Sequence, residues 1–597
     1  MTRHWFRKLK AMAFTYLFLS LAFAVACGAA ATATPVPKAA APEAPKAPVA
    51  AAPAEPAAPA AAATPIPKAS PVPAPALPAR PKVERLKMAI APLGFDTNVS
   101  WDTSRSGLLD KRPNLEYLVG IDRNTTAYIP ELATKWEMSP DGKSWTFWLR
   151  PGIQFHDGWG EFTAKDVPHS VWAVGQPGST ASDAGYWPTL AGRGKTSEEI
   201  AGQFEIVNDH QIVFKLKRAD PELLEVVSSH RDLVMESKAR WDKDGLEGYR
   251  KKIVGTGPFR FKERQLGQYV LHERVDNHWR QTPEFKELEF RWVQEEVTRL
   301  ATLVSGEVHM SDIARSNQKQ ALDKGFKLIP SKFPAIQHQW IFGGLYFQTP
   351  DKFDPQLPWV KREVRQAMSM AVNRKELNSS LFAGKGEPHY MHNFHKVMSG
   401  PVWNPEWERR FDELYGYNPV KARELLKQAG YPNGFGFKIT LFTLPGLPEI
   451  PQIGEALTVY FKAVGLQPVL EEIDFPRARE AYRTKNSSGQ LVPFRHAFGG
   501  HSSIFRQFYQ SKDSTVYAFE DAFFDQKWAE LGKVVDPGAR DKIFREIGDK
   551  LFSEFPTIPL VWLFADIMVD SKVVAEYVFT GTYTGFYAHL EYIKLVR

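Results

Sequence analysis

A long segment rich in alanine, proline and threonine limits which part of this chain can fold. Residues 28–82 contain 15 of the protein's 45 prolines and almost no large apolar side chains. A segment of this composition cannot bury a core and favours extended, partly polyproline conformations. We therefore predict an Ala/Pro-rich tether over residues 28–82 and a folded body that begins at residue 83.

Residues 1–27 have the pattern of a bacterial signal peptide. Basic side chains precede an apolar run from Ala11 to Ala26, which is too short for a comfortable membrane span. Cys27 is the only cysteine of the chain and directly follows that run. The stretch LAFAVACG resembles a lipoprotein signal, in which the cysteine carries the lipid, although AVA is also an acceptable cleavage site for simple secretion. We expect an extracytoplasmic protein, at the cell surface or in the periplasm, lipid-anchored to the membrane through Cys27.

The overall composition argues against nucleic-acid binding and against thiolate chemistry in the folded body. Hydrophobic residues make up 43% of the chain and charged residues 24%, which are ordinary values for a globular protein. The net charge of +7 is small for 597 residues and forms no basic block outside the extreme N-terminus, so nucleic-acid binding has little support. With a single cysteine, the body can form neither an internal disulfide nor a thiolate metal site.

Within the body, strand-like and helix-like patterns are interleaved. The stretch ERLKMAIAP predicts a strand, and KSWTFWLRPGIQF alternates as one arm of a hairpin. In YNPVKARELLKQAG, Asn418 is a natural N-cap, Pro419 occupies the first helical position and Gly430 ends the helix. Thr163, followed by Asp166, predicts another helix start of the capping-box type. Strands mixed with helices, without strict alternation, predict an α/β class with mixed sheets.

The sequence contains only partial matches to several enzyme motifs. His272 and His278 lie six residues apart, not the four that a zinc-binding helix needs, and Thr189 stands where a P-loop would require its first glycine. No nucleophile-elbow or dinucleotide-binding motif is present. The FHDG stretch places His156 beside Asp157, and we interpret the role of that pair as structural rather than catalytic. The sequence therefore predicts no enzyme, no cofactor and no metal site.

Six blocks of sequence carry a resemblance to one protein family. They are LATKWEMSPDGKSWTFWLRPGIQFHDGWGEFTAKDV, IVGTGPFRFKERQLGQYVLHERVDNHW, ATLVSGEVHMSDI, VRQAMSMAVNRKEL, YNPVKARELLKQAGYPNGF and KAVGLQPVLEEIDF. In this order, and over most of residues 86–595, they resemble the family 5 extracellular solute-binding proteins. Members of that family are the peptide, nickel and oligosaccharide receptors of ABC importers.

The resemblance implies a bilobal periplasmic-binding-protein-like fold with mixed sheets and a hinge between two lobes. Lobe 1 would be discontinuous, with residues 83–340 plus 563–597, and lobe 2 would span 341–562. A solute that touches both lobes binds only the closed state well, so binding drives closure. The implied partners are a small solute and the permease subunits of an ABC importer, and we expect a monomer.

Three tryptophans are candidates for contact with the solute. Trp101, Trp187 and Trp403 lie in polar, turn-rich stretches rather than in periodic apolar runs. The resemblance places cleft-lining segments in matching stretches. We therefore predict that these three rings bind solute, with local packing as the alternative.

Residues 481–512, which we call the basic window, are rich in basic side chains and predict which chemical groups the solute carries. Peptide receptors of the family pair the terminal ammonium of the ligand with an aspartate here, but residues 481–512 contain no Asp or Glu. Unless acidic residues arrive from elsewhere, ordinary free-amine peptides should bind poorly, because a buried ammonium needs a carboxylate. We expect a peptide-like, chelate or other acceptor-rich solute, and the predicted ligand-binding residues in this window are Arg495, His496, Gly499, Gly500 and His501.

Other functions remain open from the sequence. One is a peptide receptor of the same family. The others are a ligand sensor that partners with a signalling membrane protein and a secreted hydrolase on the receptor fold. The hydrolase would need a nucleophile and base in the cleft, for which the sequence offers no candidate.

Overall fold

The computed structural model describes residues 83–92, 96–103, 105–442, 449–512, 514, 516–581 and 587–597. The predicted signal peptide and tether, residues 1–82, lie outside the described residues. The strands are β1 (Arg85–Ile90), β2 (Val119–Ile121), β3 (Tyr128–Pro130), β4 (Ala133–Met138), β5 (Ser144–Leu149), β6 (Phe204–Asn208), β7 (Gln211–Lys215), β8 (Phe259–Gln265), β9 (Tyr269–Arg274), β10 (Glu287–Trp292), β11 (Met310–Ser311), β12 (Lys327–Phe342), β13 (Glu387–Pro388), β14 (Gly436–Leu441), β15 (Gln467–Glu472), β16 (Gln490–His496), β17 (Thr557–Val569), β18 (Val574–Glu576) and β19 (Lys594–Leu595).

Helices alternate with these strands along the whole described body. They are α1 (Asp166–Gly175), α2 (Trp187–Ala191), α3 (Ser197–Ile200), α4 (Leu223–Val227), α5 (Lys238–Lys251), α6 (Glu296–Val304), α7 (Arg315–Leu322), α8 (Arg362–Met370), α9 (Arg374–Phe382), α10 (Pro405–Tyr415), α11 (Pro419–Gln428), α12 (Glu449–Ala463), α13 (Phe475–Arg483), α14 (His501–Phe508), α15 (Ala522–Leu531) and α16 (Pro537–Glu554). Among the described residues, none of these helices combines the length and the apolar character needed to cross a membrane.

The largest sheet mixes parallel and antiparallel strands, which confirms the predicted class. Its order is β15-β14-β16-β12-β17-β11-β1-β10-β9-β8, and β13 also pairs with β17. β1 runs parallel to β10, and β14 runs parallel to both β15 and β16. The central pair, β12 and β17, is antiparallel.

β12 and β17 connect the two halves of this sheet. β12 pairs with β17 over most of its length and with β16 over residues 337–342, while the far end of β17 pairs with β11. The register of the β12–β17 pair shifts near Pro330, Pro334 and His338. Register irregularities of this kind bend and twist a strand pair. Two adjacent, irregular strands are therefore the main covalent connection between the halves.

A smaller antiparallel sheet, in the order β4-β5-β7-β6, has a separate core. Along β5, Trp145, Phe147 and Leu149 are buried while the residues between them are partly exposed. This alternation follows from the period of two in a strand, and it confirms that KSWTFWL forms one arm of a hairpin. The core beneath it also receives the apolar side chains of α1 and α4.

The helix predicted after Asn418 is confirmed. The Asn418 side chain accepts a hydrogen bond from the Lys421 amide at 2.9 Å, and Pro419 is the first residue of α11. Gly430 follows the helix with φ of +94°, a left-handed conformation that glycine adopts without steric cost.

The helix predicted to start at Thr163 begins three residues later, at Asp166. The Asp166 carboxylate accepts a hydrogen bond from the Thr163 amide at 2.8 Å, so this half of the predicted capping interaction is present. The Asp166 amide also donates to the Thr163 carbonyl at 3.0 Å, so a tight turn from Thr163 leads into the helix.

The structure places His156 and Asp157 in local packing interactions. The Nε2 atom of His156 lies 2.9 Å from the Gly257 carbonyl oxygen, and burial lowers the pKa of this imidazole to about 4. Asp157 has a left-handed backbone with φ of +61° and forms an ion pair with Lys252 at 2.7 Å. Both side chains therefore hold a turn against neighbouring segments.

Candidate functional site

A cavity of about 260 Å³ lies where the segment around α4 meets α14 and the start of α16. Four arginines and three carboxylates contribute to its lining, together with two serines and several apolar side chains. These charged and hydroxyl residues are Arg218, Asp220, Glu222, Glu225, Arg231, Ser502, Ser503, Arg506 and Arg540. We refer to this space as the cleft cavity.

The two walls of the cleft cavity contact each other directly. The Gly500 amide donates to the Glu225 carboxylate at 3.3 Å, and the Ser502 hydroxyl donates to Glu222 at 2.5 Å. Arg540 donates to the same Glu222 carboxylate at 2.8 Å. Residues about 280 positions apart in the chain are thereby held together, so the structure shows the cleft with its walls closed.

Amphipathic packing of the two helices directs the polar groups into the cavity. In α4, Leu223, Val226 and Val227 are buried in the core of the smaller sheet, and the Glu225 side chain lines the cavity beside Val226. In α14, Ile504, Phe505 and Phe508 are buried, while Ser503 and Arg506 line the cavity. Helical periodicity therefore separates an apolar anchor from a polar face on each wall.

Gly500 is required for the close approach of the two walls. A Cβ atom at this position would lie 1.8 Å from a Glu225 carboxylate oxygen, which is closer than any real contact. A glycine lets the backbone amide come within hydrogen-bond distance of a side chain from the other wall.

Burial sets the ionisation of the two acidic groups. Desolvation raises the pKa of Glu225 to about 7, and the nearby Arg231 charge offsets this only in part. Desolvation likewise raises the pKa of Glu222, against the opposing effect of Arg540. Arg231 also forms an ion pair with the buried Asp183 at 2.6 Å. The cleft cavity therefore has a carboxyl group that titrates near neutral pH.

Arg506 differs from the other arginines of the cleft cavity. Burial lowers its pKa, and the adjacent positive charge of Arg231 lowers it further. Among the described residues, no carboxylate forms an ion pair with this guanidinium, whereas Arg218, Arg231 and Arg540 each have one. A partly buried guanidinium next to a second arginine is stabilised by an external anion.

The three predicted tryptophans are buried in apolar clusters, and none of them lines the cleft cavity. Trp101 packs against Tyr249 with ring centroids 5.1 Å apart. Trp187 packs edge-on against Tyr186, a cavity-lining residue, at 5.3 Å. The rings of Trp403 and Tyr390 are 5.5 Å apart. Direct contact of these rings with solute stays a prediction.

The predicted glycine and histidine residues directly precede the cavity-lining Ser502, and the amides of both glycines have protein partners. Both backbone groups of Gly499 bond to the Asn393 side chain at 2.9 Å, so its amide is not available to a solute. The Gly500 amide is occupied by Glu225. His501 stacks on Phe394 at 4.8 Å, and burial lowers its pKa to about 4, so this imidazole is neutral at pH 7.

Arg495 and His496 belong to β16, where their backbones pair with His338 and Gln337 of β12. The side chains of Arg495 and His496 lie outside the described part of the chain. The structure therefore leaves their predicted role in solute binding as a prediction, and it offers Arg506 as the positive group that faces the cavity.

The sequence did not identify Glu222 and Glu225 as part of the site. They lie in the stretch PELLEVV, which has no motif, and Glu225 reaches Gly500 across 275 residues of sequence. Acidic residues therefore do arrive from elsewhere in the chain. This removes the argument that the basic window must reject a free amine.

Comparisons with known proteins agree with this architecture. The chain is 29% identical over 485 residues to the glutathione-binding protein GsiB of Pectobacterium atrosepticum, covering 79% of this chain and 85% of the relative. It is 27% identical over 427 residues to the dipeptide-binding protein of Escherichia coli K12, with 67% and 72% covered. The solved structure of the periplasmic binding protein AgaA of A. tumefaciens R10, in complex with agropinic acid, superposes with a TM-score of 0.65 at 20% identity, covering 86% and 99%.

A two-part mixed sheet joined by two strands is the architecture of the bilobal periplasmic binding proteins. Residues 127–515 match the model of the bacterial extracellular solute-binding proteins, family 5, and the chain belongs to this family. It is an extracytoplasmic receptor of an ABC importer, a role that requires capture and release of a solute.

Proposed function

We propose that this receptor captures a peptide-like solute in the cleft cavity and holds a carboxylate of that solute against Arg506. The observation that carries the proposal is the Arg506 guanidinium itself, which lines the cavity beside Arg231 and has no carboxylate partner among the described residues. A carboxylate of the solute would form a charge-assisted pair with it. The named relatives bind glutathione and dipeptides, both of which carry carboxylates.

Glu225 supplies a complementary group for an amine. Its carboxyl lines the cavity, contacts the opposite wall through Gly500 and has a pKa raised by burial to about 7. An ammonium placed beside Glu225 would stabilise the ionised carboxylate and offset the cost of burying it. A solute with both a carboxylate and an amino group fits this pair of protein groups better than an anion alone.

Closure follows from the position of these two groups. Glu225 and Arg506 belong to opposite walls, so a solute that contacts both is bound tightly only when the walls meet. We propose residues 83–340 plus 563–597 as lobe 1 and residues 341–562 as lobe 2, with β12 and β17 as the hinge strands. The protein would bind the solute without converting it, in line with relatives that are named as binding proteins.

Isothermal titration calorimetry with glutathione and a set of dipeptides tests this proposal, after native mass spectrometry has identified any solute that co-purifies. We expect at least one of these probes to bind with micromolar or tighter affinity. Arg506→Met should weaken that binding about 30-fold, and Arg483→Met should leave it unchanged, because Arg483 is exposed at the end of α13. Equal affinities of the two variants would refute the role of Arg506.

We also propose that Cys27 carries a lipid which holds the receptor at the membrane beside its permease, and that the receptor acts as a monomer. The position of the only cysteine directly after the apolar run supports the anchor. Two or more acyl chains would give stable attachment, whereas one would not. Cells fed a fatty-acid analogue should label the natural chain and not Cys27→Ser. Equal labelling of both would contradict the anchor.

A further inference from the structure

A second cavity, of about 850 Å³, lies between α9 and α10 and is closed on one side by β13 and β17. Residues 370–418 form almost all of its lining, and none of them lines the cleft cavity. Its volume is within the range of small-molecule sites in proteins. We call it the α9–α10 cavity.

Aromatic rings form one part of this lining. Tyr390 is half-buried and packs edge-on against Phe411, with ring centroids 5.0 Å apart. Tyr417 also lines the cavity and is 49% exposed. Aromatic faces carry a negative quadrupole that attracts organic cations.

Carboxylates surround the Tyr390 ring. Glu408 and Asp412 lie one helical turn apart on α10, and Glu387 comes from β13. Burial raises the pKa of the Tyr390 phenol to about 12, and the negative charges of Glu408, Asp412 and Glu387 raise it as well. Glu408 forms an exposed ion pair with Lys396, whereas Asp412 has no ion pair among the described residues. The field at this end of the cavity is therefore negative.

Arg374 also lines the cavity, but protein acceptors take most of its hydrogen-bond donors. Arg374 donates to the carbonyl oxygens of Pro559, Ser369 and Tyr415, at 2.6, 3.0 and 2.9 Å, and to the Ser369 hydroxyl at 2.7 Å. Its guanidinium also lies 5.5 Å from the Phe411 ring centroid. Four of its five N–H groups are thereby paired with protein acceptors, and Lys375, which also lines the cavity, is exposed to solvent.

A buried histidine in the lining offers an acceptor. His389 is 1% exposed, and its Nδ1 atom lies 2.9 Å from the His338 carbonyl oxygen. A carbonyl can only accept, so Nδ1 carries the proton and Nε2 of the neutral ring is left as an acceptor. Within the described part of the chain, Nε2 has no hydrogen-bond partner. An unpaired buried acceptor requires a donor, and an ammonium group has three donors and no acceptor.

We propose that the α9–α10 cavity is a second ligand site, which binds a small aliphatic amine through the carboxylates of Glu408 and Asp412, the ring of Tyr390 and the Nε2 atom of His389. This site is independent of the solute in the cleft cavity. It gives the receptor a binding activity that its role in import does not require.

Titration calorimetry with 1,4-diaminobutane as the probe tests the proposal, with succinate as a probe of similar length and opposite charge. We expect saturable binding of one diamine per chain and no binding of succinate. Asp412→Asn combined with Glu408→Gln should weaken diamine binding at least 10-fold. Glu424→Gln should not, because Glu424 is exposed on α11 and lies outside both cavities.

The substituted side chains are exposed, so these variants should fold, and equal melting temperatures would verify this. A Tyr390→Leu variant supplies an independent readout, since it removes the ring but no charge. The proposal is overturned if succinate binds as well as the diamine, if diamine binding does not saturate, or if the double variant binds the diamine like the natural chain.

Discussion

The cleft cavity and the α9–α10 cavity are both lined by charged side chains, but they are assembled differently. The cleft cavity depends on contacts such as Ser502 with Glu222, which join segments 280 residues apart. The α9–α10 cavity is formed almost entirely by residues 370–418. A site assembled across two walls changes when the walls separate, whereas a site formed within one segment keeps its shape. The first site can therefore couple solute binding directly to a movement of the lobes.

The largest expected effect comes from breaking the contact between the walls at Arg540. Arg540→Met would leave the partly buried Glu222 without its cation, and it would remove the hydrogen bonds of Arg540 to the Leu531 and Val534 carbonyl oxygens. We expect the free energy of unfolding to fall by about 3 kcal/mol, as measured by urea denaturation.

A double variant shows how much of the stability loss in Arg540→Met comes from the unpaired charge of Glu222 and how much from lost packing. Adding Glu222→Gln to Arg540→Met removes the uncompensated carboxylate, so it should restore part of the lost stability in a double-mutant cycle. Asp412→Asn in the α9–α10 cavity should change stability by less than about 0.5 kcal/mol, because its side chain is exposed. An Arg540→Met protein as stable as the natural chain would show that the walls do not depend on this pair.

The next prediction tests whether the two cavities bind their ligands independently. Arg506→Met should weaken binding of the solute in the cleft by about 2 kcal/mol, roughly 30-fold, because a buried charge pair is lost. The same variant should bind 1,4-diaminobutane with unchanged affinity, since Arg506 does not line the α9–α10 cavity. Calorimetry with both probes checks this, and a parallel loss of both affinities would show that the cavities are coupled.

The buried Glu225 carboxyl should make the stability of the protein depend on pH. The folded protein holds the Glu225 proton more tightly than the unfolded chain, because burial raises the pKa from 4.5 to about 7. Its contribution to the free energy of unfolding is therefore full at low pH and is lost as pH rises through about 7.

Glu225→Gln removes this titration. Relative to the natural chain, the variant should gain stability by about 2 kcal/mol between pH 5 and pH 8. Denaturant unfolding at several pH values measures the difference, and the exposed Glu424→Gln should follow the natural chain throughout. A Glu225→Gln difference that is constant with pH would contradict the raised pKa.

The smallest effect concerns the tryptophans. Trp187 contacts Tyr186 at the cleft cavity, whereas Trp101 packs against Tyr249 in the core of the smaller sheet. We expect solute binding to change the fluorescence of Trp187 and not that of Trp101. The Trp187→Phe variant should therefore lose part of the ligand-dependent signal, and Trp101→Phe should retain it. The reverse pattern would indicate that the solute lies nearer to Trp101.

Local patterns in the sequence were sufficient for much of the fold. The alternation in KSWTFWL predicts the buried face of β5, and Asn418 with Pro419 predicts the start of α11. Both rest on interactions between residues a few positions apart. The order of the strands in the large sheet could not be predicted in this way, because β1 pairs with β10 and β11, which lie about 200 residues away in the sequence. Such pairing depends on how whole elements pack.

The candidate site was predicted only in part for the same reason. Gly500 was recognised, since it lies in the basic window, but its partner Glu225 carries no local signal and reaches it only in the folded chain. His501 is basic as a residue type, yet aromatic burial makes it neutral. Charge in a sequence shows which groups are present, and burial decides which of them remain charged.

The distance between the two walls of the cleft tests the central claim most directly. Lys195→Cys and Lys533→Cys place labels at exposed positions, one in each proposed lobe, in a chain whose only natural cysteine, Cys27, is replaced by serine. Double electron–electron resonance then measures the label separation without and with the solute that co-purifies or with the tightest dipeptide. We expect the solute to shift a broad distribution to a shorter, narrower one in the natural background and not in Arg506→Met. The same distribution with and without a saturating solute would contradict capture by closure of the two lobes.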